Sequence, residues 1–443
     1  MVRTVETNTS KSDGTRSAFC FGSGKAYGEF VRFRLAAAIA ILVFASATVF
    51  AQNREMNRWV GSWAASQQLV EPRNSLSPED LTDATLRQIV HLSIGGTRLR
   101  VHLSNRFGTA PLHFTSVHIA RASSPASSRI ARDSDKALSF SGAGDVTVPA
   151  GADYISDPVV LRAPALSDVA ITLHLDKPPS QQTGHPGSRA TSYVAHGNVV
   201  SAAELGDAKK VEHWYFIAGI DVAAPPGAMA IVTLGDSITD GHGATTDANN
   251  RWPDVLARRL QTALGTRTVA VLNHGIGGNR LLLDGIGPNA VARFDHDVIA
   301  QLGVRYLIVL EGINDIGTLA REQEVTPAEH DILIRRIIAA YEQIVTRAHM
   351  HSIKVIGATI LPFVGSGYYH PGGNSEADRQ AVNRWIRASG HFDAVVDLDK
   401  VTRDKEQPDR LFAAYDSGDH LHPSPEGYSV MGNAFSLRLF SLK

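Results

Sequence analysis

The chain has 443 residues, 43 Lys+Arg against 44 Asp+Glu for a net charge of −1, and 43% hydrophobic residues. Balanced charge excludes a general polyanion binder, so nucleic acid is not an expected partner, and the apolar share excludes wholesale disorder. The length leaves room for more than one domain.

The first element is a leader. Arg32 and Arg34 precede an apolar run from Leu35 to Ala51. The run is ~17 residues, where a transmembrane helix needs ~20. Val49-Phe50-Ala51 meets the small-residue rule of a cleavage site, with Gln52 as the first mature residue. Residues 1–51 are therefore read as a signal peptide and its preceding segment. The competing reading is an uncleaved N-terminal anchor. The stretch before Leu35 is long for a signal peptide; a start downstream of Met1 or an extended n-region would account for it. Cys20, the single cysteine, lies upstream of the run, and no cysteine follows it. A lipoprotein anchor is thereby excluded, and the processed chain has no disulfide, cysteine zinc site or cysteine nucleophile. The expected location is secreted or periplasmic, with no stable membrane insertion after cleavage.

Residues 52–224 read as an N-terminal β-rich domain. Leu99, Val101 and Leu103 alternate with Arg98, Arg100 and His102, and Gly95-Gly96 separates this run from Gln88–Leu92. That pattern predicts a hairpin. Further short runs at Leu112–Ala120, Val146–Val148, Val159–Leu161 and Val169–Leu175 argue for an antiparallel β-sandwich or jelly-roll-like module.

After Pro225-Pro226-Gly227 the rhythm changes, and residues 225–443 read as a second, catalytic domain. Apolar runs at Ala228–Leu234, Val269–Leu272, Tyr306–Leu310, Val355–Leu361 and Ala394–Leu398 alternate with helical patterns, including Pro327 to Met350 and Glu376 to Ser389. This is the βαβα order of an α/β fold with a doubly wound parallel sheet. Ligands in such sheets bind beyond the carboxyl ends of the strands. Those ends carry Gly235-Asp236-Ser237-Ile238, Asn273-His274-Gly275-Ile276-Gly277-Gly278, Gly312-Ile313-Asn314-Asp315 and Asp419-His420-Leu421-His422-Pro423.

A serine hydroxyl needs a base beside it to act as a nucleophile at neutral pH. His422 suits that role for Ser237, and Asp419, three residues earlier, suits the role of fixing the imidazole tautomer. His420 is the neighbouring alternative base, but only His422 gives the Asp-x-x-His-Pro pattern. Asp236 is expected to brace the turn through backbone hydrogen bonds. Each residue type also has an ordinary structural use: serine caps helices, glycine makes turns, and a surface aspartate needs no role. The four blocks in order after successive strands weigh against that bland reading.

The four blocks resemble those of the SGNH hydrolase superfamily, the GDSL esterases and lipase-acylhydrolases. The likeness runs from about Ala228 to the C terminus, and the signature departs from it only in reading Gly-Asp-Ser-Ile for Gly-Asp-Ser-Leu. More softly, Trp59–Trp63 and Arg100–Asn105 resemble the β module that precedes the catalytic domain in exported bacterial members. The resemblance implies a flavodoxin-like catalytic domain, catalytic Ser237, Asp419 and His422, and an oxyanion hole formed by the N–H groups of Ser237 and Gly278 and the side-chain amide of Asn314. No cofactor and no metal are expected. His349 and His351 sit i, i+2 on a helix and do not share a face, and Phe294-Asp295-His296-Asp297 is expected to be a solvated turn.

The expected function is a secreted serine esterase acting through an acyl-enzyme on carboxylic esters, foremost short-chain acyl or O-acetyl esters on carbohydrate. The expected partner is that ester, with acetylated polysaccharide as the candidate. Alternatives are a lipase or lysophospholipase-like acylhydrolase, acyl transfer by the same residues, and a non-catalytic carbohydrate-binding protein on the same fold. Substrate-binding residues are not fixed: Leu281-Leu282-Leu283, Phe363 and Tyr368-Tyr369 line a pocket or pack the core, and Gly365-Ser366-Gly367 with Gly372-Gly373 is a candidate lid.

Overall fold

In the computed structural model the described residues are 58–319, 321 and 325–441; the leader, Cys20 and Gln52 lie outside them. The described residues belong to one unit.

The N-terminal part holds two main antiparallel sheets. One has the order β1 (Trp59–Ala64), β11 (Ile217–Ala223), β3 (Gly96–Ser104), β7 (Val159–Ala163), with β6 (Asp153–Ile155) also on β3. The other runs β10 (Lys209–Val211), β9 (Ser192–His196), β2 (Ala84–His91), β8 (Asp168–Leu175), β4 (Ser116–Arg121), β5 (Lys136–Ala137). Alternation does its usual work: Leu99, Val101 and Leu103 of β3 and Leu86 and Val90 of β2 enter one core, while Ile89 joins a small second cluster with Ala120, Ala170 and Tyr193.

The expected hairpin across Gly95-Gly96 does not form. β2 pairs with β8 and β9, whereas β3 pairs with β11, β7 and β6. The link crosses from one sheet to the other because its backbone is claimed by β1. Ser93 N–H donates to Ser62 O at 3.0 Å, and Ser62 Oγ donates to Ile94 O at 2.7 Å.

The parallel sheet has the order β13 (Val269–Gly275), β12 (Met229–Gly235), β14 (Val304–Leu310), β15 (Lys354–Ala358), β16 (Ala394–Val396). Numbered within the sheet this is 2-1-3-4-5, the flavodoxin-like order, whose switch point lies between the two neighbours of the first strand. Every residue of β12 is buried, as its uninterrupted apolar run requires. Register sets the site: Gly235 lies opposite Gly275 on one side and Leu310 on the other. The segments beginning Asp236, Ile276 and Glu311 therefore leave the sheet side by side. Among the described residues no helix is long and apolar enough to cross a membrane.

The two sheet systems share one hydrophobic core, which takes in Val60 and Ile220 together with Ala230 and Leu272. β1 packs on β13, and Gly61 N–H donates to Leu302 O at 3.0 Å. The segment 294–297 is not a solvated turn. Phe294 and Asp297 are buried, and Asp297 accepts from Ser66 Oγ at 2.7 Å and from Arg293 Nη1 at 2.8 Å. Ser66 comes from the far N-terminal part, so nothing in the local pattern announces it.

His296 completes this seam, hydrogen bonded to Asp153 at 2.5 Å and to Asp297 at 2.7 Å. Burial alone would lower its pKa, but the two carboxylates outweigh that and raise it to about 9. A histidine raised in the folded state adds stability that is fully present below its ordinary range near ~6.5 and is lost as pH climbs through the folded value. The melting temperature is therefore expected to fall between pH 6.5 and 9, with about 2–3 kcal/mol at stake. Thermal unfolding of His296→Gln across this range should show a flatter slope; an unchanged slope would exclude this pair of contacts as its source.

Candidate active site

β12 ends at Gly235, and Asp236 caps the short helix α1 (Ser237–Asp240), its carboxylate accepting Ile238 N–H at 2.8 Å. The turn places Ser237 at the start of the helix, beyond the strand end. Ser237 Oγ lies 2.8 Å from His422 Nε2, and His422 Nδ1 lies 2.6 Å from Asp419 Oδ2. Asp419 is held on its other oxygen by the N–H groups of Leu421 at 3.0 Å and His422 at 2.8 Å. Burial would raise the Asp419 pKa, but these hydrogen bonds and the histidine outweigh it and hold the carboxyl well below its usual range. An ionised Asp419 accepts a hydrogen bond from Nδ1–H and so keeps the proton on that nitrogen, which leaves Nε2 free to accept from Ser237. His420 is turned elsewhere: its Nδ1 lies 2.6 Å from Asp416, and its ring is half exposed.

Gly278 sits in the turn after β13 with a φ of +70°, a left-handed conformation that favours glycine. Asn314 lies in helix α2 (Ile313–Leu319). Its amide is fixed at both ends: Nδ2 donates to Asn279 O at 2.7 Å, and Oδ1 accepts from Tyr369 Oη at 2.6 Å. An amide nitrogen carries two protons, so one remains for a ligand. Ser237, His422, Gly278 and Asn314 all line one cleft of ≈ 940 Å³. Asp419 and His420 line it too.

Beneath this floor is a buried acidic cluster. Asp315 accepts Leu281 N–H at 2.8 Å and Leu282 N–H at 3.1 Å, fixing the segment after the glycine turn. Burial pushes Asp315 up to about 6 and Asp236 up to about 7, and Glu311 is raised with them by burial and mutual repulsion. Arg293 is the organising cation. It donates to the carbonyls of Gly235 at 3.0 Å and His274 at 2.7 Å, and to Asn279 Oδ1 at 2.9 Å. One guanidinium thus ties together the ends of β12 and β13 and the turn between β13 and Asn279.

Residues 233–430 match the GDSL-like Lipase/Acylhydrolase family. This part of the chain belongs to the SGNH/GDSL hydrolase superfamily. Solved structures similar to the chain include the native M. smegmatis aryl esterase, at 20% identity over 49% of this chain and 100% of that one, TM-score 0.36. An acetyl xylan esterase, AlAXEase, is 18% identical over 46% of this chain and 97% of that one, TM-score 0.35. A GDSL-like lipase from Bacteroides thetaiotaomicron VPI-5482 is 20% identical over 46% of this chain and 84% of that one, TM-score 0.34. No curated protein matches the chain.

The wall facing the GDSL-like domain's serine is built partly from the β region. Gln68, Arg73, Gly187 and Arg189 line the same cleft as Ser237. His185 Nε2 lies 2.9 Å from Asp240, the last residue of α1, and a Cβ on Gly187 would fall 1.8 Å from the same carboxylate. The β region therefore approaches the nucleophile's helix too closely for any side chain at Gly187. Of the expected pocket residues, Tyr368 and Tyr369 line the cleft, as do Gly365, Ser366 and Gly367. Phe363 is fully buried and packs edge-on against Tyr369. Leu281 is buried, while Leu282 and Leu283 line a different cavity. Sequence reading missed His242, whose ring centroid lies 4.1 Å from that of His422. Together His242, Asp419 and His422 place ligand atoms within 4.8 Å of one another, a spacing that suits a metal ion. A metal there would compete with Ser237 and Asp419 for the ring nitrogens of His422.

Proposed function

We propose that this GDSL-like domain hydrolyses carboxylic esters through an acyl-enzyme on Ser237. The observation that carries the reading is the Ser237–His422–Asp419 chain of hydrogen bonds, at 2.8 and 2.6 Å, opening on the cleft. Ser237 Oγ attacks the acyl carbon as His422 Nε2 takes its proton. The resulting oxyanion is met by donors set beforehand: the N–H groups of Ser237 and Gly278 and the free N–H of Asn314. Collapse expels the alcohol oxygen, which leaves with the proton from His422. Water then repeats the sequence on the acyl-enzyme and releases the acid. No step calls for a cofactor.

The proposed substrates are short-chain acyl or O-acetyl esters on carbohydrate, because the cleft walls offer hydrogen-bonding Arg, Asn, Gln and His side chains beside the serine together with the rings of Tyr368 and Tyr369, against which a sugar face can pack. A secreted or periplasmic location is proposed from the leader at Leu35–Ala51. The test is 4-nitrophenol release from acetate, butyrate, octanoate and palmitate esters by the wild type and by Ser237→Ala. Turnover of acetate or butyrate, lost in the variant, supports the reading. A preference for octanoate or palmitate moves the substrate to lipids, and turnover of none favours a binding protein. Asn314→Ala is expected to lower kcat by about 10²–10³ with little change in KM, since its free N–H faces charge that develops only in the transition state.

A further inference from the structure

The cleft contains five charged side chains besides its histidines, and four of them are matched. Arg73 pairs with Glu71 at 2.9 Å, Asp240 meets His185 at 2.9 Å, and Asp419 meets His422 at 2.6 Å. Arg189 is the fifth. Among the described residues no carboxylate lies within ion-pairing distance of its guanidinium. Its one side-chain partner is His242 Nδ1, at 3.0 Å from Nη2, and its Nε is buried without a hydrogen-bond partner. The carboxylate of Asp247, close in the fold, is committed to the N–H and hydroxyl of Thr191 at 2.6 and 2.7 Å.

An arginine cannot shed its proton, so this charge persists at any working pH. Because a guanidinium only donates, His242 accepts at Nδ1 and is the neutral tautomer with its proton on Nε2. Burial, the neighbouring His422 and Arg189 agree with this, lowering the His242 pKa to about 4. His242 therefore offers Arg189 no compensating charge. The backbone at Arg189 is also in the left-handed region, φ +50°. Such strain at a residue with a Cβ persists only where surrounding structure enforces it, here through Asp247 N–H donating to Arg189 O at 3.0 Å. The fork is thus held at the cleft wall, one histidine ring away from His422, with donors to spare.

We propose that Arg189 anchors a carboxylate carried by the ester substrate, so that the β region selects acidic esters for the serine of the GDSL-like domain. The inference rests on the esterase reading of the same site. Guanidinium and carboxylate match in planar, bidentate geometry, and a charge-assisted pair of this kind is among the stronger polar contacts. A cation at His242, Asp419 and His422 is disfavoured by the same guanidinium, which adds its charge to the place the ion would occupy.

Two substrate pairs place the carboxylate. On the acyl side, 4-nitrophenyl hydrogen succinate is compared with its neutral methyl ester. On the alcohol side, acetylated methyl galacturonoside is compared with acetylated methyl galactoside. The wild type is expected to prefer the acidic member of one pair, and the responding pair tells which side of the ester bears the charge. Arg189→Gln should lower that preference by on the order of tenfold to a hundredfold, mainly through KM, and Arg189→Lys should retain part of it. A preference absent from both pairs, or unmoved by Arg189→Gln, overturns the anchor and leaves the esterase standing. Equal losses on acidic and neutral members overturn it too, since Arg189 would then act through His242 on His422. Failure of the wild type on every ester overturns the esterase reading itself. Inhibition of the wild type by succinate or methyl galacturonoside, against methyl galactoside, reads the same preference without a variant.

Discussion

Ser237→Ala is expected to lower kcat on 4-nitrophenyl acetate by about 10⁴–10⁶-fold, with KM changed only a few-fold. The hydroxyl is the atom that would form the covalent bond, so its loss removes the acyl-enzyme route rather than weakening it. Among the described residues its one side-chain hydrogen bond is with His422, at 2.8 Å. The fold does not depend on that contact, because α1 is capped by Asp236 and held by Arg293 at Gly235 O and by His185 at Asp240. The variant should therefore unfold at the wild-type temperature. Residual turnover of about 10³–10⁴ over water would measure what the oxyanion donors and the cleft achieve without a nucleophile. His422→Ala should cost about as much, and the double variant scarcely more than either, because the two groups act as one unit. Single losses that multiply in the double variant would mean that serine and histidine serve separate steps.

The parts of this site that sequence revealed are those whose partners lie close in the chain or at strand ends. Asp419 and His422 are three residues apart and sit on one loop. Ser237, Gly278 and Asn314 each follow an apolar run, and a parallel sheet in register brings such positions together. The alternation of strands with helices along the chain and the change of rhythm near Pro225 were legible for a related reason: burial on both faces leaves a continuous apolar run, and burial on one face leaves alternation. Periodicity does not name the partner of a strand, and this is why Gly95-Gly96 looked like a hairpin when its flanking strands join different sheets. Long-range polar contacts left no local trace at all. Arg293 is a charged residue in a short helix, yet it is buried and meets three backbone or side-chain acceptors around the nucleophile turn. Ser66, His185 and Arg189 come from the β region, and only the packing of β1 on β13 shows that this region builds one wall of the cleft. Asp297 looked solvated because its partners, Ser66 and Arg293, lie 231 and four positions away, and only the nearer lies within a helical turn.

Asp419→Asn is expected to reduce kcat by about 10⁴-fold while leaving the fold intact, and the geometry says why a change of one atom should cost so much. Asp419 Oδ1 receives the N–H groups of Leu421 and His422, at 3.0 and 2.8 Å. Only an oxygen can take that place, so an asparagine must keep its oxygen there and turn its amide nitrogen toward His422 Nδ1. The amide then donates where the carboxylate accepted. His422 answers by carrying its proton on Nε2, and Nε2 no longer accepts from Ser237 Oγ. The base is present, correctly placed, and in the wrong tautomer. Asp419→Ala separates this from loss of charge, because an alanine imposes no tautomer and leaves the ring free to present Nε2 in its accepting form. The alanine variant should thus retain more activity than the asparagine variant, even though it removes more atoms. Nitrogen chemical shifts of the His422 ring, read alongside kcat, would report the tautomer directly. Wild-type kcat in Asp419→Asn, or an alanine variant that is the slower of the two, would remove Asp419 from the role of fixing the tautomer.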